Sequence, residues 1–141
     1  MTGSTQMDNT HNIRLATDAD GTAVGDLVWR GGFRVDGIDW TDLGSYWLVA
    51  ENGVGIVGCL QVLPGKPIGR LEFLVVDEEL THRERATISR DLSIQGYATL
   101  KLAGAQAASN LVDFKNKSLK RILKRRGARV MASGNMFIKR L

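Results

Sequence analysis

Apolar and polar residues repeat with two different periods along this chain of 141 residues. Residues 12–17 alternate apolar with polar side chains, which is the period of a half-buried strand. Asp18 is a common helix N-cap type, and apolar side chains then recur at helical spacing until Gly31. A strand followed by a helix is therefore predicted near the start of the chain.

Three strands are predicted to follow as a meander. Residues 46–52 and 54–64 surround Asn52-Gly53, a dipeptide that strongly favours a hairpin turn. Residues 68–77 predict the third strand, after a turn that contains both prolines of the chain. Between the first helix and this meander, residues 35–44 predict a short irregular segment, with one more helical turn as an option.

The second half of the chain changes to a helical period. From Ala86 one apolar stripe predicts a long helix, and residues 105–114 predict a further strand. A basic helix is predicted to be capped by Ser118 and to end at Gly127, and residues 128–141 predict two short strands. The expected class is α/β, of the α+β kind, with a mixed and mostly antiparallel sheet flanked by helices.

The composition fits a single globular domain. Hydrophobic residues make up 43% of the chain and charged residues 24%, which is ordinary for a folded protein. We expect a flexible tail over residues 1–11 and one domain over residues 12–141. No apolar stretch approaches the roughly 18 residues that a membrane helix requires. Cys59 is the only cysteine, so we expect no disulfide, no metal site and a cytoplasmic location.

Charge is distributed very unevenly along the chain. Residues 1–80 hold five Lys/Arg and twelve Asp/Glu, whereas residues 114–141 hold ten Lys/Arg and no acidic residue. The cations of the predicted basic helix are Lys117, Lys120, Arg121, Lys124, Arg125 and Arg126. Such a cationic end predicts either a solvated helix face or a surface for nucleic acid, for phosphate, for an acidic protein partner or for self-association of the two ends.

The order of elements, together with two motifs, resembles the GNAT superfamily of acyl-CoA-dependent N-acetyltransferases over residues 12–141. The first motif is NKSLKRILKRRGA at residues 116–128. Four of its residues match the family pattern, namely Asn116, Leu119, Ile122 and Gly127. Leu123 stands where the family usually has a tyrosine, and Ala128 where it has a phenylalanine.

The second motif follows the strand that ends in LVVD. In the family, a loop of the form Q/R-x-x-G-x-G/A holds the pyrophosphate of coenzyme A with backbone N–H groups at a helix N-terminus. Here the aligned residues are Thr81, His82, Arg83, Glu84, Arg85 and Ala86. Only Ala86 keeps the small side chain, and Glu84 places a negative charge where the first glycine is expected. Side chains of Arg83 and Arg85 remain as anion-binding groups.

The resemblance also assigns roles to residues on the preceding strand and in the last motif. Glu72 and His82 are the candidate general bases, and each has a simpler interpretation: Glu72 pairs with an arginine or faces solvent, and His82 is an exposed loop side chain. The resemblance implies that Val75 and Val76 contact the acyl group and pantetheine arm, and that Asn116 belongs to the cofactor region. A leucine at position 123 cannot protonate a departing thiolate as the family's tyrosine does.

The remaining candidates have a structural interpretation as well. Cys59 is interpreted as a core cysteine, because it lies in an apolar strand without a histidine nearby in sequence. The three tryptophans, Trp29, Trp40 and Trp47, are expected to pack in or around the core. Trp40 and Phe33 also fall in the region that lines the acceptor site in the family.

A narrower resemblance accounts for both departures from the family pattern, the loop at residues 81–86 and the leucine at position 123. The charged, glycine-poor loop and the N-x-S…L-K-x-x-G-A pattern look like the short GNAT-like proteins of podophages, which are associated with assembly of internal virion components. The leading hypothesis is a virion-associated or assembly protein with a degenerate acetyl-CoA site, located in the host cytoplasm or the virion. An active acetyl-CoA-dependent N-acetyltransferase and a nonspecific nucleic-acid-binding module are the alternatives; no membrane partner is expected.

Overall fold

A computed structural model describes residues 10–34, 36–111, 117–125, 127, 129–132 and 136–141. Its strands are β1 (Asn12–Leu15), β2 (Trp47–Glu51), β3 (Ile56–Leu63), β4 (Ile68–Val76), β5 (Ala107–Leu111), β6 (Arg129–Ala132) and β7 (Met136–Arg140). Its helices are α1 (Gly21–Arg30), α2 (His82–Leu102) and α3 (Lys117–Arg125), with a 3-10 turn at Asp18–Asp20 before α1. This order confirms the predicted succession of strands and helices.

The strands form one sheet with the order β1-β2-β3-β4-β5-β7-β6. Pairing is antiparallel for β1 with β2, β2 with β3, β5 with β7 and β6 with β7. The β4 and β5 strands are parallel, with Ile68–Leu71 opposite Ala107–Asn110. The predicted mixed and mostly antiparallel sheet is therefore confirmed.

The irregular segment predicted at residues 35–44 is confirmed for its described part, residues 36–44, which form turns, whereas the optional helical turn within it was wrong. The Asp39 carboxylate accepts hydrogen bonds from the N–H and the hydroxyl of Thr41, a local arrangement that competes with helix formation. Gly37 and Gly44 have φ values of 81° and 64°, which a right-handed helix does not permit.

Backbone contacts divide the chain into two compact units. One contains the described residues of 1–61 and 73–95, and the other contains those of 62–72 and 96–141. Strands β3 and β4 and helix α2 each contribute to both units. A single domain over residues 12–141 stays a prediction, as does the tail, since residues 1–9 lie outside the described part of the chain.

The first unit is built around the buried face of α1. Val24, Leu27 and Val28 on this helix pack in one cluster with Trp47, Val49 and Cys59 of strands β2 and β3. Trp40 also packs against the cluster and lies against Gly25, where an added Cβ would come within 2.7 Å of the indole ring. The helical spacing of apolar residues in the sequence thus becomes one continuous hydrophobic core.

An ion-pair network joins β1, β2 and the start of α1. The Arg14 guanidinium donates to Asp20 at 2.7 and 3.0 Å and to Glu51 at 3.0 and 3.2 Å. Hydrogen bonding to Arg14, more than any other cause, lowers the pKa of Asp20 to about 2. Asp20 also accepts the N–H of Thr17 at 2.8 Å, so a single carboxylate fixes both the helix entry and the first strand.

In the second unit, β4 meets helix α2 at a glycine. A Cβ at Gly69 would come within 2.6 Å of the Leu100 side chain, so this strand position has no room for a larger residue. The Ser109 hydroxyl and the Asn110 amide on β5 donate to the carbonyl oxygens of Gly69 and Leu71 at 3.5 and 3.3 Å. The parallel β4–β5 pair is therefore reinforced by side chains.

The contact between α1 and Trp40 can be tested at Gly21. An added Cβ would overlap the carbonyl oxygen of Trp40, so we expect Gly21→Ala to lower the free energy of unfolding by more than about 2 kcal/mol, although alanine favours a helix. Gly53→Ala is the matched control, since its Cβ would meet open space. Equal unfolding midpoints for the two variants in urea would contradict this packing.

The Arg14 network predicts that the protein loses stability as the pH falls. Because the pKa of folded Asp20 is about 2, below its ordinary value of 3.8, its stabilisation is complete above about pH 4 and is lost as the pH falls towards 2. Asp20→Asn should therefore be less stable than wild type near neutral pH, and its stability should fall less steeply between about pH 4 and pH 2. Chemical unfolding at a series of pH values gives the free energy of unfolding of both proteins. If it falls with the same slope between about pH 4 and pH 2 in wild type and in Asp20→Asn, this role for Asp20 is refuted.

Candidate functional site

Strand β4 has an unusual backbone conformation at its centre. Phe73 has a φ of 54°, in the left-handed region that residues other than glycine rarely adopt. Its ring packs edge-on against Phe33 at 5.0 Å and is stacked on Trp47 at 6.0 Å, measured between ring centroids. Backbone strain of this kind costs about 1–3 kcal/mol and is concentrated at functional sites, which makes the part of β4 around Phe73 the candidate site.

The helix that follows β4 begins earlier than the sequence indicated. The long helix was predicted from Ala86, but α2 starts at His82, so the residues aligned with the phosphate-binding loop form its cap and first turn. The Thr81 N–H donates to the Glu84 carboxylate at 3.1 Å, and the Glu84 N–H donates to the Thr81 hydroxyl at 3.2 Å. This reciprocal pair is a capping box.

The capping box changes which groups are available at the helix N-terminus. Thr81 and Glu84 use their own N–H groups within the box, and the Arg85 N–H donates to the Thr81 carbonyl at 2.9 Å. Among the described residues of this helix start, the N–H groups of His82 and Arg83 take part in none of the capping hydrogen bonds. A pyrophosphate normally takes several such donors from a glycine-rich turn, so the residues at this helix start do not fit that group well.

The predicted cofactor residues of this segment come together in one turn. Arg83 and Ala86 are exposed and Arg85 is half-buried, all within the first turns of α2. His82 is exposed at the first helical position, in accordance with its simpler interpretation. The first turn therefore presents cationic side chains, with the Glu84 carboxylate between them.

Glu72 lies on β4 and has a charged partner. Its side chain is 12% exposed, and its carboxylate accepts hydrogen bonds from the Arg70 guanidinium at 3.0 and 3.2 Å. The interpretation of Glu72 as an ion-paired strand residue is thus confirmed. Its role as a base remains a prediction, as do the cofactor contacts of Val75 and Val76; Val75 packs against the core of the first unit.

Leu123, at the position where the resemblance implies a tyrosine, is 1% exposed on α3. The helix starts at Lys117, so Ser118 lies inside its first turn and not at the cap as predicted. Gly127 has a φ of 85°, consistent with its predicted place after the helix end. Asn116, Arg126 and Ala128 lie outside the described residues.

Cys59 is a core residue, as predicted. It is fully buried, and its thiol lies 3.7 Å from the carbonyl oxygen of Phe73. Burial raises the pKa of the thiol to about 12, so Cys59 is protonated at neutral pH and is a poor nucleophile.

A cleft of about 510 Å³ lies beside the start of α2. Its lining residues are Thr10, His11, Asn52, Thr81, Arg83, Glu84, Thr87 and Ile88. Next to it, His11 Nε2 lies 2.7 Å from Asp91 Oδ2. The sequence offered no signal for this pair, because its members are 80 residues apart and belong to no motif.

Two further predictions concern metal and membrane. Among the described residues, no group of three or more His, Cys, Asp or Glu side chains is placed to hold a metal ion. No helix within the same residues has the length and apolar character needed to cross a bilayer.

The sequence matches no protein-family model and no curated protein. Its structure, however, is similar to many solved ones. An acetyltransferase of the GNAT family from Staphylococcus aureus Mu50 has a TM-score of 0.76 and 13% identity, with 94% of this chain and 99% of that chain covered. Ard1 from Thermoplasma volcanium gives 0.75 and 13%, with coverage of 93% and 97%. For yncA from Salmonella typhimurium, solved with its cofactor acetyl-CoA, the values are 0.76 and 16%, with 94% of each chain covered.

These similarities define the class of fold. The chain has the fold of the GNAT acetyltransferases over nearly its whole length. Sequence identities of this size establish the fold, whereas the activity depends on the residues at the site.

The capping box can be tested by stability. Removing either partner leaves an N–H at the helix start without its acceptor, so Thr81→Ala and Glu84→Ala should each lower the free energy of unfolding by about 1 kcal/mol. The double variant should lose less than the sum, because both changes break one reciprocal pair. Thr87→Ala is the control. The Thr87 hydroxyl donates to the Arg83 carbonyl inside the helix and takes no part in the capping box. Additive losses would argue against a coupled box.

Proposed function

We propose that this chain is a GNAT-fold protein with a degenerate acetyl-CoA site, which acts through its surfaces as a virion-associated or assembly protein of the tailed-phage type. The capping box at Thr81 and Glu84 carries the proposal. It uses backbone N–H groups at the place where the resemblance implies a pyrophosphate turn, and it puts a carboxylate there that would repel phosphate.

The last helix supports the same conclusion independently. Leu123 stands in place of the tyrosine that the resemblance implies, and its side chain is buried. An apolar side chain there supplies no proton to a leaving thiolate. The tailed-phage assignment rests on the narrower sequence resemblance, which combines the charged loop with the pattern of the last helix.

An active N-acetyltransferase is the second candidate, and specific features favour it. Arg83 and Arg85 remain on the first turns of α2, next to the N–H groups of His82 and Arg83. Among the structural neighbours, yncA was solved with acetyl-CoA and a Thermoplasma acidophilum N-acetyltransferase with coenzyme A. In this reading the arginine side chains replace the missing glycine turn as phosphate ligands.

Acetyl-CoA binding separates the two candidates. A ligand that binds the folded state raises its unfolding temperature. Because the proposed site is degenerate, we expect no such rise for wild type at about 1 mM acetyl-CoA. Glu84→Gly removes the capping carboxylate and restores the first glycine of the loop pattern, so it should bind at least about tenfold more tightly than wild type. Glu84→Ala is the matched control, which loses the carboxylate without gaining glycine's backbone freedom.

The opposite result is equally clear. An upshift of several degrees for wild type, together with acetyl transfer to an amine that is lost in Glu72→Gln, would overturn the proposal and establish the enzyme. Calorimetric titration of coenzyme A gives the affinity directly and needs no knowledge of the acceptor.

A further inference from the structure

Residues 36–46 form an exposed acidic surface, which we call the acidic loop. It contains Asp36, Asp39 and Asp42, all exposed, and no lysine or arginine. Ile38 and Tyr46 in the same segment are 50% and 48% exposed. Exposed apolar side chains with a polar rim are typical of a protein interaction surface.

The acidic loop is held in a defined conformation. Trp40 packs against the core of the first unit and lies edge-on to Trp47, with ring centroids 5.9 Å apart. The Leu43 N–H donates to Asp18 at 3.2 Å. Hydrogen bonds from Thr41 hold Asp39 and lower the pKa of its carboxyl, so this residue carries its charge at neutral pH. A preformed surface of this kind costs less entropy to bind than a disordered one.

Helix α3 provides the opposite charge. Leu123 is buried, whereas Arg121, Lys124 and Arg125 are exposed, so one side of the helix packs and another is cationic. Within the described residues, none of the ion pairs involves these three cations. No acidic residue occurs between positions 114 and 141 to neutralise them.

We propose that the acidic loop of one copy of this chain binds the cationic face of α3 on a second copy. Among the ion pairs of the described residues, none involves Asp36, Asp39, Asp42 or the three cations of α3, and the two surfaces are complementary in sign. Ile38 and Tyr46 would supply the apolar contact area, and the charges would orient the encounter. A nucleic acid would complement the charge of α3 but would be repelled by the acidic loop. It would also find no aromatic side chain within α3 on which to stack its bases.

The proposed contact joins two different surfaces, so it is heterologous. Every copy carries both surfaces, and a bound copy therefore still offers one acidic loop and one α3 face. Such contacts continue until they close into a ring or extend as a filament. The inference goes beyond the proposed function and does not depend on whether acetyl-CoA binds, since the cofactor and mass measurements are separate.

Sedimentation velocity of the full chain tests this contact. At about 50 mM salt the mass of wild type should rise with concentration above the 15.4 kDa of one copy, and at about 500 mM salt it should return to that value. The loop variant, Asp36→Asn/Asp39→Asn/Asp42→Asn, and the helix variant, Arg121→Gln/Lys124→Gln/Arg125→Gln, should each remain at the mass of one copy at low salt.

An equimolar mixture of the two variants provides the sharpest measurement. The mixture retains one native pair of surfaces, so it should form a species of twice the mass of one copy and nothing larger. Neutral replacements are used because reversed charges would create a second complementary pair. Glu78→Gln and Lys101→Gln, exposed positions outside both surfaces, should associate as wild type does. Circular dichroism melting curves verify that every variant is folded.

Three outcomes would overturn the proposal. Wild type could remain at the mass of one copy at low salt and about 100 μM, where contacts of micromolar strength are populated. The single-surface variants could associate as wild type does, which would place the contact elsewhere. Finally, a wild type that stays monomeric but binds duplex DNA with a steep salt dependence, lost in the helix variant, would assign α3 to nucleic acid.

Discussion

The close approach of helix α2 to strand β3 determines where the candidate site can lie. At Gly58 an added Cβ would come within 3.1 Å of Ile88, 3.2 Å of Leu92 and 3.4 Å of the Val75 carbonyl oxygen. A larger residue at Gly58 would therefore push the helix away from β3 and β4 together. Because Ile88 and Leu92 are themselves buried, the helix axis is fixed by packing, and its first turn must begin close to the end of β4.

This packing explains why a capping box and a phosphate turn are alternatives at the same place. The fold brings the N-terminus of α2 to the end of β4 whatever the connecting residues are. The unpaired N–H groups of that helix start must be satisfied by side chains, by water or by a ligand. Thr81 and Glu84 satisfy two of them from within the chain, with a carboxylate that also favours the positive end of the helix dipole. The same two residues thus stabilise the helix and reduce the number of donors open to an anion.

Much of the fold was predictable because its signals are local. Alternation at residues 12–17, the apolar stripe after Ala86 and the helix stop at Gly127 each depend on neighbours in sequence. The turn at Asn52 was placed correctly, but the loop spans residues 52–55, since the Asn52 side chain accepts the N–H groups of Val54 and Gly55. The start of α2 was placed too late, although Thr81-x-x-Glu84 is itself a recognised capping pattern. Features that join distant segments, such as the His11–Asp91 pair and the aromatic contacts of Phe73, have no periodic signature and needed the structure.

Strand β4 and the residues that follow it differ in how firmly the core fixes their conformation. Phe73 keeps a strained backbone, which persists only where its surroundings enforce it; here the rings of Phe33 and Trp47 and the buried Cys59 surround it. Trp47 and Cys59 belong to the core of the first unit, so relaxing the strand would cost core contacts. The side chains of residues 81–86 are exposed or half-buried and do not belong to that core. The geometry of β4 is therefore fixed by core packing whatever residues follow the strand, and a strained strand alone does not demonstrate that a cofactor is bound.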